Sequence, residues 1–135
     1  MKGKAAVTIS ELLDKQAQVH GSKPFIISEE KTFSYAEMAE MSARVAENLA
    51  RLGVGKGSKI VLLMGNCMEF LFTFLGIGRI GATIVPINPV LKPEEIEFIL
   101  CDSDAEMLMT VPDFLPVLDR FRANAPALKH VIVTG

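Results

Sequence analysis

Cysteine is scarce: Cys67 and Cys101 are the only two. Two separated cysteines exclude a disulfide framework and a four-ligand zinc site, and free thiols point to a reducing compartment, so a cytoplasmic protein is expected. An excess of positive charge is also missing. Fourteen Lys and Arg face 16 Asp and Glu, a net charge of -2, with no basic stripe, so no nucleic-acid partner is expected. Long uncharged runs are lacking as well. The longest in the central region, Ile80 to Leu91, has twelve residues and contains two prolines and an asparagine. A spanning helix needs about 20 apolar residues, so no membrane span is expected. Met1-Lys2-Gly3-Lys4 is charged, but no signal-peptide apolar core follows it. There is no internal repeat, low-complexity tract or linker. The 135 residues, 1–135, fit a single domain.

What is present is an apolar content of 50%, and it is concentrated between Lys59 and Asn88. Lys59-Ile60-Val61-Leu62-Leu63-Met64 is a short apolar run ending at the turn signal Gly65-Asn66. Met68 to Ile80 is apolar on nearly every face and long enough for a helix, which Gly81 can close in a left-handed conformation. Thr83 to Ile87 is β-branched and ends at Asn88-Pro89. Strand, helix and strand of this kind form a parallel βαβ unit whose strands must be covered on both faces. Within the helix, Phe70, Phe74 and Ile77 fall at i, i+4 and i+7 and are expected to face the sheet.

The flanking chain supplies the cover. Thr8-Ile9-Ser10-Glu11 is a capping box, with Ile9, Leu12, Leu13 and Val19 following at helical spacing until Gly21. Phe25–Ile27 and Lys31–Phe33 flank a polar Ser28-Glu29-Glu30 and suit a small hairpin. Ser34-Tyr35-Ala36-Glu37 is a second capping box. It opens a long helix with Met38, Met41, Val45, Leu49 and Leu52 on one stripe, closed by Gly53. Pro93 fits the first turn of a further helix with Ile96, Ile99 and Leu100 on its apolar face, broken at Asp102-Ser103-Asp104. Glu106–Thr110 and His130–Val133 complete the set of core strands, with a short helix from Pro116 to Phe121 between them. The order βαβαβαβ implies an α/β fold. It has a parallel, doubly wound sheet with helices on both faces, preceded by a helix and a small hairpin.

Few residues carry chemistry. Gly76-Ile77-Gly78-Arg79-Ile80-Gly81 matches the dinucleotide fingerprint, and Asp102 lies about 20 residues on. The fingerprint must open a helix, whereas Pro86, Pro89 and Pro93 follow here, so a glycine-rich helix end packing on the sheet competes with it. Gly53-Val54-Gly55-Lys56-Gly57 lies before a strand and suits a helix cap and turn better than a phosphate loop. Cys67 stands near a helix N-terminus, which can lower a thiol pKa, yet no histidine is close in sequence. His20 and His130 are isolated. Asn88 to Lys92 follows the carboxyl end of a core strand, where open α/β sheets bind ligands. Lys92 could meet a phosphate there, or be a surface loop lysine.

With these segments placed, the chain resembles the N-terminal part of the adenylate-forming, AMP-binding enzymes of the acyl-CoA synthetase type. Thr32-Phe33-Ser34-Tyr35-Ala36-Glu37-Met38 is similar to the family's threonine–aromatic segment. Gly57-Ser58-Lys59-Ile60-Val61 is similar to its turn into the first core strand, where Asp is commoner than Ser58. Asn66, Glu69, Phe70 and Gly81-Ala82 resemble the helix that follows. Pro86-Ile87-Asn88-Pro89 resembles the strand-end motif, and Glu95-Ile96 with Asp102-Ser103-Asp104-Ala105 the next helix.

The resemblance implies a parent enzyme that uses ATP, Mg²⁺ and coenzyme A. Its carboxylic acid substrate attacks the α-phosphate to give an acyl-adenylate, and a thiol then takes the acyl group. The family's Ser/Thr/Gly-rich phosphate loop ending in lysine has no counterpart here, so this portion is expected to be inactive alone and no catalytic residue is assigned. A basic side chain near the Asn-Pro motif can bind the CoA nucleotide in some members, which leaves Lys92 as the candidate, since Val90 and Leu91 are apolar. No metal ligand is assigned, and no cofactor is expected to bind this portion tightly. Two other readings stay open: a stand-alone, non-catalytic interaction module, and an NAD-binding oxidoreductase fragment built on Gly76–Gly81. An unpaired strand edge and bare apolar surface would favour self-association at micromolar concentration.

Overall fold

Ile60, Val61, Leu62 and Leu63 are all fully buried, so both faces of the strand that carries them are covered. That strand, β3, lies inside the structure, a computed structural model that describes residues 6–135; the Met1–Lys4 segment lies outside the described residues. The elements in chain order are α1 (Ile9–His20), β1 (Pro24–Ile27), β2 (Thr32–Ser34), α2 (Tyr35–Arg51), β3 (Lys59–Leu63) and α3 (Met68–Arg79). They continue with β4 (Thr83–Pro86), α4 (Pro93–Asp102), β5 (Met107–Thr110), α5 (Leu115–Phe121) and β6 (His130–Val133).

Strands β3 to β6 form one parallel sheet of order β4-β3-β5-β6. The chain leaves β3 toward β4, then crosses back over β3 to β5 and on to β6. With crossovers of one hand, reversing direction requires the connecting helices to change face. The two cores show that change. Ile60, Leu62, Met107 and Met109 point to one face and pack with Ile77 of α3 and Leu49 of α2. Val61, Leu63 and Leu108 point to the other and pack with Ile96 and Leu100 of α4 and Leu118 of α5. The α/β class, the parallel sheet and the two-sided cover follow the sequence expectation.

A third cluster lies on the outer side of α3. Leu13, Phe33, Met38 and Phe72 meet there, with Phe25 and Ile26 of the hairpin partly buried against them. The β1–β2 hairpin is antiparallel, and its turn is tied by hydrogen bonds between Ser28 and Lys31. Both capping boxes form: Thr8 Oγ1 accepts from the Glu11 N–H, and Ser34 Oγ accepts from the Glu37 N–H. Gly53, Gly57 and Gly81 adopt positive φ at the ends of helices and turns, and Asp104 does so without a glycine at φ 53°.

One expectation is refined. The glycine-rich end of α3 packs on the sheet side through Ile77 and Ile80, but its glycines do not make that contact. A Cβ at Gly76 would stand 2.5 Å from Val45 Cγ1 and 3.1 Å from the Ser42 carbonyl oxygen, so glycine serves the close approach of α3 to α2. And although Phe70 and Phe74 do face the sheet-side cluster beside Ile77, they are only half-buried. The buried phenylalanine of α3 is Phe72, on the opposite face. Among the described residues no helix is long and apolar enough to cross a membrane.

Candidate functional site

The sheet reverses at β3 and β5, and ligands of open α/β folds bind beyond the carboxyl ends of strands near such a reversal. On that side the chain leaves β3 through Gly65-Asn66-Cys67 and leaves β4 through Asn88 to Lys92.

An open cleft of about 710 Å³ lies at the first of these exits, between the hairpin turn at Ser28–Glu30 and the start of α3. Glu29, Glu30, Asn66, Cys67, Glu69 and Phe70 line it. No cation is ion-paired to its three glutamates among the described residues. A cleft of this sign repels phosphate rather than attracting it. Among the described residues no group of His, Cys, Asp and Glu is arranged to hold a metal.

Cys67 is the N-cap of α3 and its side chain caps nothing. Burial pushes its thiol pKa up, although the Phe70 N–H pulls the other way. The helix terminus therefore does not make a thiolate, and Cys67 is a half-buried thiol. Burial, with the Glu97 charge adding to it, also raises Cys101, whose Sγ donates to the Asn124 carbonyl oxygen at 3.2 Å.

Lys92 lies elsewhere. The Asn88 carbonyl accepts from the Leu91 N–H at 3.2 Å and Asn88 Oδ1 accepts from the Val90 N–H at 3.1 Å, which folds this exit into a tight turn. Lys92 is the N-cap of α4, and its backbone N–H donates to Glu95 Oε2 at 2.8 Å. Its side chain is exposed, outside the cleft, and makes no ion pair among the described residues. Glu94 and Glu95 sit in the same first turn. The structure thus leaves the Lys92 side chain exposed, with no ion pair among the described residues.

The Gly76–Gly81 match occupies the last turns of α3 and the Gly81 stop after it. No helix N-terminus faces these glycines, and the pyrophosphate seat that the fingerprint requires is absent there. The Gly53–Gly57 stretch is a helix stop and turn ahead of β3, with Ser58 Oγ accepting from the Gly55 N–H.

Sequence reasoning missed Arg79. Its guanidinium binds both Asp14 carboxylate oxygens, and its Nε donates to Ser42 Oγ at 2.8 Å. Its Nη2 also reaches the Ala39 carbonyl. One side chain so joins α1, α2 and α3. The signal was available: Arg79 is the only charge between Phe70 and Leu91.

The family model for AMP-binding enzymes matches residues 13–135. The chain belongs to this family. A crotonobetaine/carnitine–CoA ligase of Salmonella paratyphi A (strain ATCC 9150 / SARB42) is 35% identical over 133 residues, covering 94% of this chain and 26% of the relative. The anthranilate–CoA ligase AuaEII, solved in complex with anthranoyl-AMP, superposes with a TM-score of 0.91 at 30% identity. That match covers 98% of this chain and 26% of the ligase. The N-terminal domain of FACL13 from Mycobacterium tuberculosis superposes with a TM-score of 0.88 at 32% identity, over 96% of this chain and 34% of that one. The chain thus spans about a quarter of the length of the curated relatives it matches. The resemblance read from Thr32–Met38, the β3 turn and the Pro86–Pro89 motif is borne out. Of the family-like residues, Asn66, Glu69 and Phe70 come together in the cleft.

Proposed function

We propose that this chain is the N-terminal part of an ATP-dependent acyl-CoA ligase, one that activates a carboxylic acid as its adenylate and passes the acyl group to coenzyme A. The observation that carries the reading is the family match over residues 13–135, supported by AMP-binding relatives that are CoA ligases. Those relatives act on acids as different as carnitine and anthranilate, so the reading commits to the class of carboxylic acids and to no single one.

The division of labour follows from the residues. Acyl adenylation needs cations and backbone donors gathered on transferring phosphates. Within this chain the large cleft is acidic, and Lys92 lies outside it. ATP and Mg²⁺ are therefore bound by other parts of the whole enzyme, and these residues supply a scaffold that is inactive by itself. Lys92 is proposed as one contact to a CoA phosphate. The free, half-buried thiols suit a cytoplasmic setting.

A whole enzyme carrying this portion tests the reading. It should release pyrophosphate with ATP, Mg²⁺ and a carboxylic acid, and form the thioester once CoA is added. Lys92→Ala should raise the KM for CoA several-fold and leave adenylation unchanged, because one exposed charge-assisted contact contributes about 1–2 kcal/mol. An enzyme that makes no adenylate with any acid would refute the ligase assignment. Unchanged CoA kinetics in the variant would remove Lys92 alone.

A further inference from the structure

Ser42, Thr73 and Thr110 are the buried polar side chains among the described residues, and Thr110 is fully buried. Its Oγ1 donates to the Leu63 carbonyl at 2.6 Å; the Val111 carbonyl, at 3.5 Å, is a poorer acceptor. Leu63 is the last residue of β3 and pairs with Thr110 in the parallel register. The residue before it holds the neighbouring strand, since the Leu62 carbonyl accepts from the Ile87 N–H at 2.9 Å. The Thr110 carbonyl in turn accepts from the Thr134 N–H at 2.9 Å and from Thr134 Oγ1 at 3.5 Å. Among the described residues, side-chain hydrogen bonds to the backbone of the parallel sheet therefore gather at its carboxyl rim. That is the rim on which open α/β sheets bind ligands. Little else fixes the β3 exit. Gly65 has no side chain to pack, and Cys67 caps nothing at the start of α3. The ladder of β5 cannot continue beyond Val111 either, because Pro112 carries no N–H.

We propose that Thr110 is a positioning residue. Its hydroxyl fixes the carboxyl end of β3, and through it the Gly65-Asn66-Cys67 exit that leads into the cleft and the Asn88–Lys92 turn that follows Ile87. Thr110 is itself closed off from any ligand and acts only through the β3 backbone. The consequence for turnover rests on the ligase reading, whereas the consequence for the β3 exit does not. Loss of the hydroxyl takes a donor from the Leu63 carbonyl in a place closed to water. Valine matches threonine in shape but cannot donate. Serine keeps the hydroxyl and drops the methyl group. A positioning role therefore makes Thr110→Val the damaging change and Thr110→Ser the mild one, and a packing role reverses that order.

Alkylation of the two free thiols by iodoacetamide, followed peptide by peptide in the 135-residue chain, reads the exit directly, because a half-buried thiol reacts faster as local opening becomes more frequent. Cys67 lies on the exit, and Cys101, packed on the α4 side of the sheet, is the control. Thr110→Val should react at Cys67 about three- to tenfold faster than wild type, the opening equivalent of one lost hydrogen bond, with Cys101 unchanged. Thr110→Ser should react as wild type does. In a whole enzyme carrying this portion, kcat/KM for thioester formation should fall several-fold in Thr110→Val and be kept in Thr110→Ser. Far-UV circular dichroism checks folding. Should Thr110→Val not fold, Thr110→Ala takes its place, since it differs from Thr110→Ser only in the hydroxyl, and equal Cys67 rates in those two would overturn the proposal. So would a wild-type Cys67 rate in Thr110→Val, equal acceleration at Cys67 and Cys101, or faster reaction in Thr110→Ser than in Thr110→Val. Normal turnover in Thr110→Val, in an enzyme that is active as wild type, would refute the role in the reaction. A wild-type enzyme that makes no adenylate with any acid would instead refute the ligase reading, and the Cys67 rates would still decide whether Thr110 holds the β3 exit.

Discussion

Arg79 shows how much one side chain can organise. It is 13% exposed, while its partner Asp14 is 50% exposed, so the pair is neither a surface ion pair nor a sealed one. Asp14→Asn should cost about 1–2 kcal/mol, above a surface pair and below a fully buried one. The Arg79 hydrogen bonds hold the Asp14 carboxyl below its ordinary 3.8. A carboxyl depressed in the folded state contributes stability above its unfolded pKa and loses it as pH falls through the folded value. The gap in urea midpoint between wild type and Asp14→Asn should therefore be full at pH 7 and close as pH falls below 3.8 and through the lowered folded value. A gap independent of pH would show that the bond is not charge-assisted. Two glycines within one turn of Arg79 make a sharper contrast. Gly76→Ala places a methyl against Val45 and the Ser42 carbonyl, and should destabilise by about 1–3 kcal/mol despite the gain in helix propensity. Gly78 has nothing within 4 Å of an added Cβ, so Gly78→Ala should stabilise by up to about 1 kcal/mol. Equal effects in denaturant melts would contradict the α2–α3 packing.

At the scale of elements, α3 is the piece that both the sheet and the outer helices need. Phe72 stacks edge-to-face on Phe33 at 5.2 Å and is buried, so Phe72→Ala should cost about 3–5 kcal/mol. Phe74 is half-buried, stacked at 6.1 Å on Phe70, and its loss should cost roughly half as much. Chemical denaturation of the two variants should rank them in that order, and the reverse ranking would mean the helix faces are exchanged. Most of this was legible in the sequence. The two capping boxes, Gly53 and Gly81, and the β-branched run at Thr83 specify local structure through local chemistry, and their positions hold. Which phenylalanine is buried was not legible, because α3 is apolar all round and periodicity cannot rank its faces. The role of Gly76 was hidden for the same reason: it depends on Val45, on another helix.

The whole molecule divides the same way. Its parallel, doubly wound sheet could be inferred from alternating elements and the rule of crossover handedness, but the order β4-β3-β5-β6 could not. The acidic cleft could not, because Glu29, Glu30 and Glu69 come from a hairpin turn and a helix start that only the fold brings together. Lys92 was legible as an exposed lysine beyond β4, but its place outside the acidic cleft was not. The acidity of that cleft makes ligand binding the most direct test of the proposed division of labour. Thermal unfolding of the 135-residue chain with and without ATP–Mg²⁺ measures it. A ligand at 100 times its dissociation constant stabilises a fold by about 2.7 kcal/mol, which moves the Tm of a domain this size by several degrees. The predicted result is no shift with ATP–Mg²⁺ and no pyrophosphate released with any carboxylic acid. A shift of several degrees, or pyrophosphate release, would contradict the claim that this portion is scaffold and the phosphate chemistry is carried elsewhere in the enzyme.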